Sequence, residues 1–425
     1  MTSITDHLIE FTGTPVPSDA AAMMRLSLFD WAACGIAGAR DAEFDGFVKS
    51  QLAMHHGPHL VFGGASTTAS AAALINGTLS HALDYDDTHF AHIGHPSVAI
   101  VPAALALAEL GNGDLDKLTE SVTLGVEASV AVGLWLGRDH YQVGYHQTAT
   151  AGAFGATFAG CHLLALNAAQ VRHALGLCAS MASGIKAQFG TMGKPLNAGL
   201  AARTGVESSL WAQAGMTAAH DGLAGPLGFG PTHHGQGASV ELPATDWRIN
   251  SISHKFHACC HGLHAMLEAL RDAKATPYQI ETIHVRTHPR WMSVCNITAP
   301  QTGLAAKFSY GQTAAMALLG HDTGAIDSFT DALAHDAEII ALRDRVQVSE
   351  DARLSETQSE VSITLTDGSI ERLRHDLMTP MTLERRAQNL RGKAAALLGA
   401  THAEALWDAA QGQSLRDLLD QLVMS

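Results

Sequence analysis

The sequence predicts a mainly α protein, with a large all-helical domain and a smaller α+β domain. Three observations support this prediction. Apolar residues recur at helical spacing through the first half of the 425-residue chain, a glycine-rich stretch follows near residue 218, and segments of strand-like alternation come after it. With 47% hydrophobic and 16% charged residues, the chain has the composition of packed helices rather than of a disordered protein.

The helical domain is predicted from a series of apolar segments. We expect the first helix to be capped by Ser18 and to run through WAACGIAG. Several later segments are apolar nearly all round, which is typical of helices inside a large bundle. They are TTASAAALINGTLSHAL, SVAIVPAALALAEL, LDKLTESVTLGVEASVAVGLWLG, TAGAFGATFAGCHLLAL, AAQVRHALGLCASMASGIKAQF and LAARTGVESSLWAQAG.

The smaller domain is predicted from a change of pattern. DGLAGPLGFGPTHHGQGA indicates a loop, and a short helix is expected from Gly262 to Ala273. IETIHVRTH then alternates as a strand, with Ile283 and Val285 on one face. EVSITL and SIERLRH form a hairpin around Asp367 and Gly368.

These elements predict the domain boundaries. The helical domain comprises residues 1–265 and 383–425, and the α+β domain comprises residues 266–382. From Leu383 onward the chain returns to helical segments, which we expect to pack back onto the bundle.

Composition excludes several classes of protein. The formal net charge is −15 and no basic block accompanies aromatic residues, so nucleic-acid binding is not expected. Six cysteines without a CxxC spacing indicate reduced thiols of a cytoplasmic protein. The N-terminal segment lacks the pattern of a signal peptide, and no stretch of about 18 uncharged apolar residues occurs, so neither export nor membrane insertion is expected.

The segment HALDYDDTHFAHIGHPS, residues 81–97, holds four histidines and three aspartates. His81 and Asp84 are three apart at a helix end and can share a face. Ser97 can cap the next helix, which would place His95 near a helix N-terminus, where the positive end of the dipole attracts carboxylates.

Three interpretations of this segment compete. Histidine and aspartate are metal ligands, but no HxxxH or HExxH spacing is present. The polar side chains could instead cap helix ends and shape the loop, or Asp84 and His95 could form an acid/base site. Loop-shaping roles are expected for His81, Asp86, Asp87, His89 and His92.

Two further segments add candidates. GYHQTATAGAFGA places His146 immediately before a helix of small residues, and GTMGKPLNAGLAARTG places Lys194 between glycine turns and before Pro195. The residue before a proline favours an extended or turn conformation, so we expect Lys194 in a turn. Taken singly, such residues are more often a packed histidine and a surface lysine.

SHKFHACCHGLHAMLEAL holds His257, His261 and His264 around paired cysteines. A zinc site is one interpretation, but adjacent cysteines rarely bind one metal together. His264, at the start of an apolar helix, is the best candidate here for a residue facing a cleft.

The order of LINGTLSHALDYDDTH…GHPS, GYHQTATAGAFGA, FGTMGKPLNAGLAARTG, and KFHACCHGLH followed by AAKFSYGQTAAMALLG resembles the MmgE/PrpD family. That family includes 2-methylcitrate dehydratase, cis-aconitate decarboxylase and iminodisuccinate epimerase, and the resemblance covers nearly the whole chain. It implies a homodimer whose subunits have a helical domain and an α+β lid, an active site in the cleft between them, and no metal or other cofactor. The implied site residues are Asp84, His95, His146, Lys194 and His264.

One departure from the family affects the expected reaction. Where decarboxylase and dehydratase members carry a tyrosine after the KFS motif, this sequence has Gln312, with Tyr310 two positions earlier. A phenol can deliver a proton and an amide cannot, so the departure favours an epimerase. Tyr310, Gln312, Lys194 and His95 are the predicted substrate ligands.

The sequence thus predicts a metal-independent lyase or isomerase of the MmgE/PrpD type. It would remove or deliver a proton next to a carboxylate of a small di- or tricarboxylate, by dehydration, decarboxylation or epimerisation. The alternatives are a metal-dependent hydrolase that uses the histidine/aspartate segment, and a non-catalytic carboxylate-binding protein.

Overall fold

A computed structural model describes residues 3–110 and 114–423 of the chain. The chain divides into two compact units, Met1–His254 with Arg386–Ser425, and Lys255–Arg385. The first unit is built of helices with one pair of two-residue strands, and the second combines short helices with a four-stranded sheet. The predicted class, mainly α with a smaller α+β domain, is confirmed.

The first part of the chain forms the helical unit. Its elements are α1 (Ile4–Phe11), α2 (Ser18–Gly38), α3 (Asp45–Met54), β1 (His59–Leu60), β2 (Ser66–Thr67), α4 (Ala69–Ser80), α5 (Ser97–Ala108), α6 (Leu115–Gln142), α7 (Gln147–Leu163), α8 (Ala168–Ala179), α9 (Gly193–Gln213) and α10 (Phe229–Thr232). Helix α6 is interrupted at Gly137, whose φ of 78° is not helical.

The second unit contains shorter elements. They are α11 (His264–Leu270), β3 (Ile280–Thr287), α12 (Pro289–Val294), α13 (Gly303–Ala306), α14 (Tyr310–Leu318), α15 (Asp331–Ala334), α16 (Ala337–Arg343), β4 (Val346–Glu350), β5 (Gln358–Leu365) and β6 (Ile370–Asp376). Helices α17 (Leu383–Leu398), α18 (Ala400–Gln411) and α19 (Leu415–Leu422) follow.

The sheet of the second unit has the strand order β4-β3-β5-β6. Strand β3 pairs parallel with β4 and antiparallel with β5, and β5 pairs antiparallel with β6. Ile283 and Val285 are buried on one face of β3, as the alternation predicts. The β5–β6 hairpin turns at Gly368, whose φ of 84° favours glycine, so the predicted hairpin is confirmed.

The boundary between the units lies earlier than the sequence analysis placed it. Residues 255–265 belong to the second unit, although we assigned them to the helical domain. The reason is local packing, since His257 hydrogen-bonds Thr323 and Glu268 within the second unit.

The helices of the first unit pack at backbone distance. A Cβ atom on Gly199 of α9 would lie 2.3 Å from the carbonyl oxygen of Leu74 in α4, and one on Gly77 would lie 2.8 Å from the Cα of Gly199. Only glycine allows this approach. Because the contact lies about one turn from His81 and from Lys194, it fixes the separation of these two side chains.

Three local predictions are corrected. Ser18 and Ser97 are the first residues of α2 and α5, and the caps are Pro17 and Pro96. Lys194 lies in the first turn of α9 rather than in a turn before it, because Pro195 falls where a helix needs no backbone N–H.

The predicted helix through AAQVRHALGLCASMASGIKAQF is shorter than expected. Helix α8 ends at Ala179, and the chain then passes Gly184, whose φ is 131°, before a short 3₁₀ turn at Lys186–Gln188. This irregular segment leads to the start of α9.

Helix α2 is long and apolar enough by composition to cross a membrane, and 83% of its most apolar window is buried inside the protein. Its Asp30 forms an ion pair with Lys393 of α17, at 2.6 Å between Oδ1 and Nζ. Helices α18 and α19 also pack on α2, so the C-terminal helices return to the first unit.

Candidate active site

The segment between α4 and α5 is folded by its own hydrogen bonds. His81 ends α4, and the amide of Asp84 donates to the His81 carbonyl oxygen at 3.1 Å. Asp84 has a φ of 49°, a left-handed conformation that aspartate tolerates better than most residues. Further along, His89 and Gly94 pair across a narrow loop. This turn brings residues from both ends of the segment together.

Asp86 is the centre of the segment. Its side chain is fully buried, and its two oxygens accept hydrogen bonds from Nδ1 of His81 and Nδ1 of His95, each at 2.8 Å. Burial raises the pKa of Asp86, but the electrostatic attraction and hydrogen bonds of the His81 and His95 imidazoles outweigh that effect and hold the pKa well below its usual range. Asp86 is therefore a buried carboxylate shared by two imidazoles.

Asp84 and Lys194 form the charged part of the site. The Lys194 ammonium lies 2.8 Å from Oδ1 of Asp84, and Nε2 of His95 lies 3.6 Å from the same oxygen. Asp84 is 44% exposed and His95 13%, so this part of the first unit reaches the surface. Lys194 also lies over the ring of Phe189, 5.5 Å from its centroid.

His146 lies beside these groups at the start of α7. Its ring stacks at 6.2 Å from that of His81, and Nδ1 accepts a hydrogen bond from Nδ2 of Asn197 at 3.2 Å. Burial, with the electrostatic effect of the neighbouring His81 and Lys194, holds the pKa of His146 well below its usual range. The ring is therefore neutral near pH 7, with Nε2 as its N–H.

Three helices begin at this cluster. His95 precedes α5 by two residues and its amide donates to Oγ1 of Thr148 in α7, His146 caps α7, and Lys194 lies in the first turn of α9. Helix N-termini carry partial positive charge and stabilise carboxylates. We call the six charged and imidazole side chains the site cluster: His81, Asp84, Asp86, His95, His146 and Lys194.

The remaining polar residues of the segment hold the loop, as predicted. Both oxygens of Asp87 accept from Ser97, from the amide at 3.2 Å and from Oγ at 2.6 Å, so Asp87 performs the capping function that we assigned to Ser97. His89 bonds the Arg248 carbonyl oxygen, and burial lowers the pKa of His92 to about 3.

Part of the site cluster could also hold a metal ion. His81, Asp84, Asp86 and His95 each offer a ligand atom within 4.8 Å of the others. Both oxygens of Asp86 already accept imidazole N–H groups, and Asp84 already pairs with Lys194. An ion would have to displace these partners, so the arrangement fits a network of charged hydrogen bonds better than a metal centre.

His264 belongs to the second unit, at the start of α11. It is 1% exposed, and its ring contacts those of His261 and His257 at 4.7 and 5.1 Å. Burial, with the charges of these neighbours, holds the pKa of His264 well below its usual range. The structure thus places His264 in a buried histidine cluster.

Tyr310 and Gln312 are both completely buried in the second unit. The Tyr310 hydroxyl hydrogen-bonds Oγ1 of Thr287 at 2.8 Å and donates to the Gly262 carbonyl oxygen at 2.7 Å. Nε2 of Gln312 donates to the Leu333 carbonyl oxygen at 2.9 Å. These contacts bury both residues within the second unit, and their role as substrate ligands stays a prediction.

Four of the predicted residues, Asp84, His95, His146 and Lys194, come together in the first unit. The sequence analysis did not assign Asp86, His81 or Asn197 to the site. One signal for Asn197 is present, because it follows Lys194 by three residues and so shares its face of the helix.

Curated relatives of this chain are lyases by name. Cis-aconitate decarboxylase of Aspergillus terreus is 28% identical over 277 residues, which cover 60% of this chain and 56% of that protein. The mouse cis-aconitate decarboxylase is 25% identical over 385 residues, 83% of this chain and 77% of that protein. The mitochondrial 2-methylcitrate dehydratase of Yarrowia lipolytica is 28% identical over 165 residues, 34% of this chain and 32% of that protein. The first match thus spans little more than half the length of the Aspergillus enzyme.

The two halves of the chain match the two domain models of a single family. The MmgE/PrpD N-terminal domain matches residues 2–240, which include the whole site cluster. The MmgE/PrpD C-terminal domain matches residues 257–411. The chain therefore belongs to the MmgE/PrpD family.

Proposed function

We propose that the chain is a lyase for a small di- or tricarboxylate, acting by proton transfer at the carbon next to a carboxylate. The observation that carries the proposal is the pairing of Lys194 with Asp84 beside two imidazoles, at the starts of three helices. The activities that name its relatives, cis-aconitate decarboxylase and 2-methylcitrate dehydratase, are both reactions of small polycarboxylates.

A substrate carboxylate would bind where positive charge is concentrated. The Lys194 ammonium and the N-terminal amides of α7 and α9 supply that charge locally, in a chain whose net charge is −15. The same charge stabilises the enolate-like state that forms when a proton leaves the carbon or when carbon dioxide departs.

Proton transfer needs groups that differ in charge and protonation. His146 is neutral and carries its proton on Nε2, so it can donate a hydrogen bond to a developing oxyanion. His95 places Nε2 beside Asp84 and Lys194, where it can give or take a proton. A correctly placed acid or base contributes roughly 10²- to 10⁴-fold to the rate.

We propose decarboxylation or dehydration ahead of epimerisation. The preference for an epimerase depended on Gln312 replacing a tyrosine, and both Gln312 and Tyr310 are core residues of the second unit. The named relatives are a decarboxylase and a dehydratase.

The test is a product analysis with a panel of polycarboxylates that includes cis-aconitate and 2-methylcitrate. The purified protein is incubated with each compound in deuterated water and followed by NMR. Loss of carbon dioxide or of water with one member supports the proposal. Deuterium incorporation with inversion and without loss of mass identifies an epimerase, and no reaction with any member rejects the lyase.

Two alternatives are separated by simple controls. A metal-dependent hydrolase that uses the histidine/aspartate segment would lose activity with chelator and regain it with a divalent ion. A non-catalytic binding protein would bind the polycarboxylate while proton exchange stays at the rate in buffer.

The resemblance also implies a homodimer and the cysteines indicate a cytoplasmic protein, and both stay predictions. Size-exclusion chromatography with light scattering checks the first. A mass equal to one 44.7 kDa chain would contradict it.

A further inference from the structure

We propose that Asp86 is the positioning residue of the site: it fixes His95 as the Nδ1–H tautomer and directs Nε2 of His95 toward Asp84 and Lys194. The inference deepens the proposed function and rests on it for the reaction, but its structural part can be tested without any substrate. The hydrogen bonds of a single buried carboxylate carry it.

Asp86 can hold both rings because an ionised carboxylate only accepts hydrogen bonds. Each of its oxygens lies 2.8 Å from an Nδ1 atom, one of His81 and one of His95. Both imidazoles must therefore carry a proton on Nδ1. For His95 the consequence is that Nε2, 3.6 Å from Asp84, is the nitrogen that faces the charged part of the site.

His81 completes the arrangement from the buried side. Its side chain has no exposed surface, and its Nε2 atom has no hydrogen-bond partner in the described part of the chain. The ring packs against His95 with 4.5 Å between centroids. Because His81 occupies one oxygen of Asp86, the carboxylate cannot rotate without losing a buried hydrogen bond, and the other oxygen stays directed at His95.

A lysine of α17 also restrains the backbone of the same turn. Nζ of Lys393 donates to the carbonyl oxygen of Tyr85 at 2.6 Å and lies 4.0 Å from the centroid of its ring. Tyr85 lies between Asp84 and Asp86, so this contact restrains both aspartates. Positioning groups of this kind keep a reacting atom in productive geometry.

Asp87 provides a matched control for Asp86. It is the next residue, is equally buried, and also accepts two hydrogen bonds, but both come from Ser97 at the start of α5. Because burial raises the pKa of Asp87 to about 7, its replacement by asparagine mainly disturbs a helix end, whereas removing the charge of Asp86 disturbs two imidazoles.

The test compares Asp86→Asn with Asp87→Asn. An asparagine has one acceptor oxygen and an NH₂ group that only donates, so it cannot accept from two Nδ1–H groups. One ring must then change tautomer. We expect Asp86→Asn to lower kcat by about 10²-fold with little change in KM, and Asp87→Asn to keep kcat within about threefold while lowering stability.

The tautomers are read directly from long-range ¹H–¹⁵N spectra of histidine-labelled protein. In the wild type and in Asp87→Asn, both His81 and His95 should show Nδ1–H, and in Asp86→Asn one of them should show Nε2–H. Unchanged tautomers in Asp86→Asn would overturn the positioning role, and so would equal losses of kcat in the two variants.

A second variant covers the case in which Asp86→Asn does not fold. His81→Phe keeps a ring of similar size but removes the hydrogen bond of His81 to Asp86. Asp86 then accepts only from His95, so the His95 tautomer should stay Nδ1–H. A switch of His95 to Nε2–H in this variant would overturn the proposal. Because these spectra need no substrate, a failed product assay rejects the lyase without deciding the tautomer, and the two failures are distinguishable.

Discussion

The protein contains two histidine clusters, one in each unit, and they differ in charge and exposure. The site cluster combines histidines with two aspartates and a lysine, and Asp84 is 44% exposed. The second-unit cluster consists of His257, His261, His264 and Glu268. Its hydrogen bonds are made within the second unit, where His257 bonds Thr323 at 2.7 Å and Glu268 at 3.0 Å.

The comparison teaches that the number of histidines does not mark an acid/base site. Both clusters hold imidazoles against a carboxylate. The site cluster adds an ammonium group and three helix N-termini in a place that reaches the surface, which is where a charged substrate can bind. The predictions below test this difference, from the largest expected effect to the smallest.

Removal of the Lys194 ammonium or of the His146 imidazole from the site cluster should strongly reduce turnover. We expect Lys194→Ala and His146→Ala each to lower kcat/KM by roughly 10²- to 10⁴-fold, because each removes a group that stabilises the enolate-like state. Circular dichroism should show a folded protein. Lys186→Ala is the control, since Lys186 lies in the same region and contacts Tyr141 instead. Equal activity of Lys186→Ala and Lys194→Ala would remove Lys194 from the site.

Loss of the buried ion pair beneath the site should strongly destabilise the first unit. Lys393→Met leaves Asp30 without its ammonium in a position only 2% exposed, and such a break costs about 3–5 kcal/mol. Urea unfolding measures the loss. The control is Lys49→Met, which removes an exposed pair with Asp45 and should cost about 1 kcal/mol or less. Similar midpoints for the two variants would mean that the pair contributes nothing.

The carboxylate of the second-unit cluster should control stability at low pH rather than catalysis. Burial raises the pKa of Glu268, but the hydrogen bond from His257 and nearby positive charge bring it to about 2, below the ordinary 4.5. Because the folded pKa is the lower one, Glu268 contributes stability above pH 4.5, and this contribution is lost as the pH falls toward 2.

The unfolding midpoint of Glu268→Gln should therefore depend less on pH in that window than the midpoint of the wild type. At pH 7 the variant should be about 1.5–3 kcal/mol less stable than the wild type, with kcat unchanged in the folded protein. Denaturant titrations at several pH values measure both effects. Parallel pH profiles of the variant and the wild type would contradict the assignment.

The contact between α4 and α9 should tolerate no side chain. Gly199→Ala places a methyl group against the Leu74 carbonyl oxygen and should cost about 1–3 kcal/mol, with a weaker Lys194–Asp84 pair as the helices separate. Gly392→Ala is the matched helical control, because nothing lies within 4 Å of its added methyl group. A neutral Gly199→Ala would show that this contact does not set the site.

The sequence predicts those parts of the site that depend on helix ends. His95, His146 and Lys194 lie at or near the starts of helices, and these positions are marked by the change from polar to apolar periodicity. The hairpin around Gly368 is equally local, because a glycine with positive φ identifies it. Local patterns therefore predict most of the fold, whereas the resemblance to the family is what selects Asp84, His95, His146 and Lys194 as site candidates.

The rest depends on contacts that local patterns do not contain. Asp86 and Asp87 are adjacent and alike in sequence, yet in the folded segment that follows the left-handed turn at Asp84 one bonds the histidines and the other bonds Ser97. Asn197 reaches His146 across 51 positions of the chain. The same limit explains the error at Lys194, where the rule for residues before proline gave way to the first turn of a helix.

The central claim, that the site cluster moves a proton next to a carboxylate, is tested most directly by comparing wild type with Lys194→Ala in deuterated water. The substrate is the panel member that reacts with the wild type, and NMR follows product formation and deuterium at the carbon next to the carboxylate. If the wild type decarboxylates the substrate, we predict product with deuterium at that carbon; if it dehydrates the substrate, the proton at that carbon is removed and the product forms without added deuterium. In both cases we predict a rate at least about 10²-fold lower for the variant. Equal rates for the two proteins, or a decarboxylation product without deuterium at that carbon, would contradict the account.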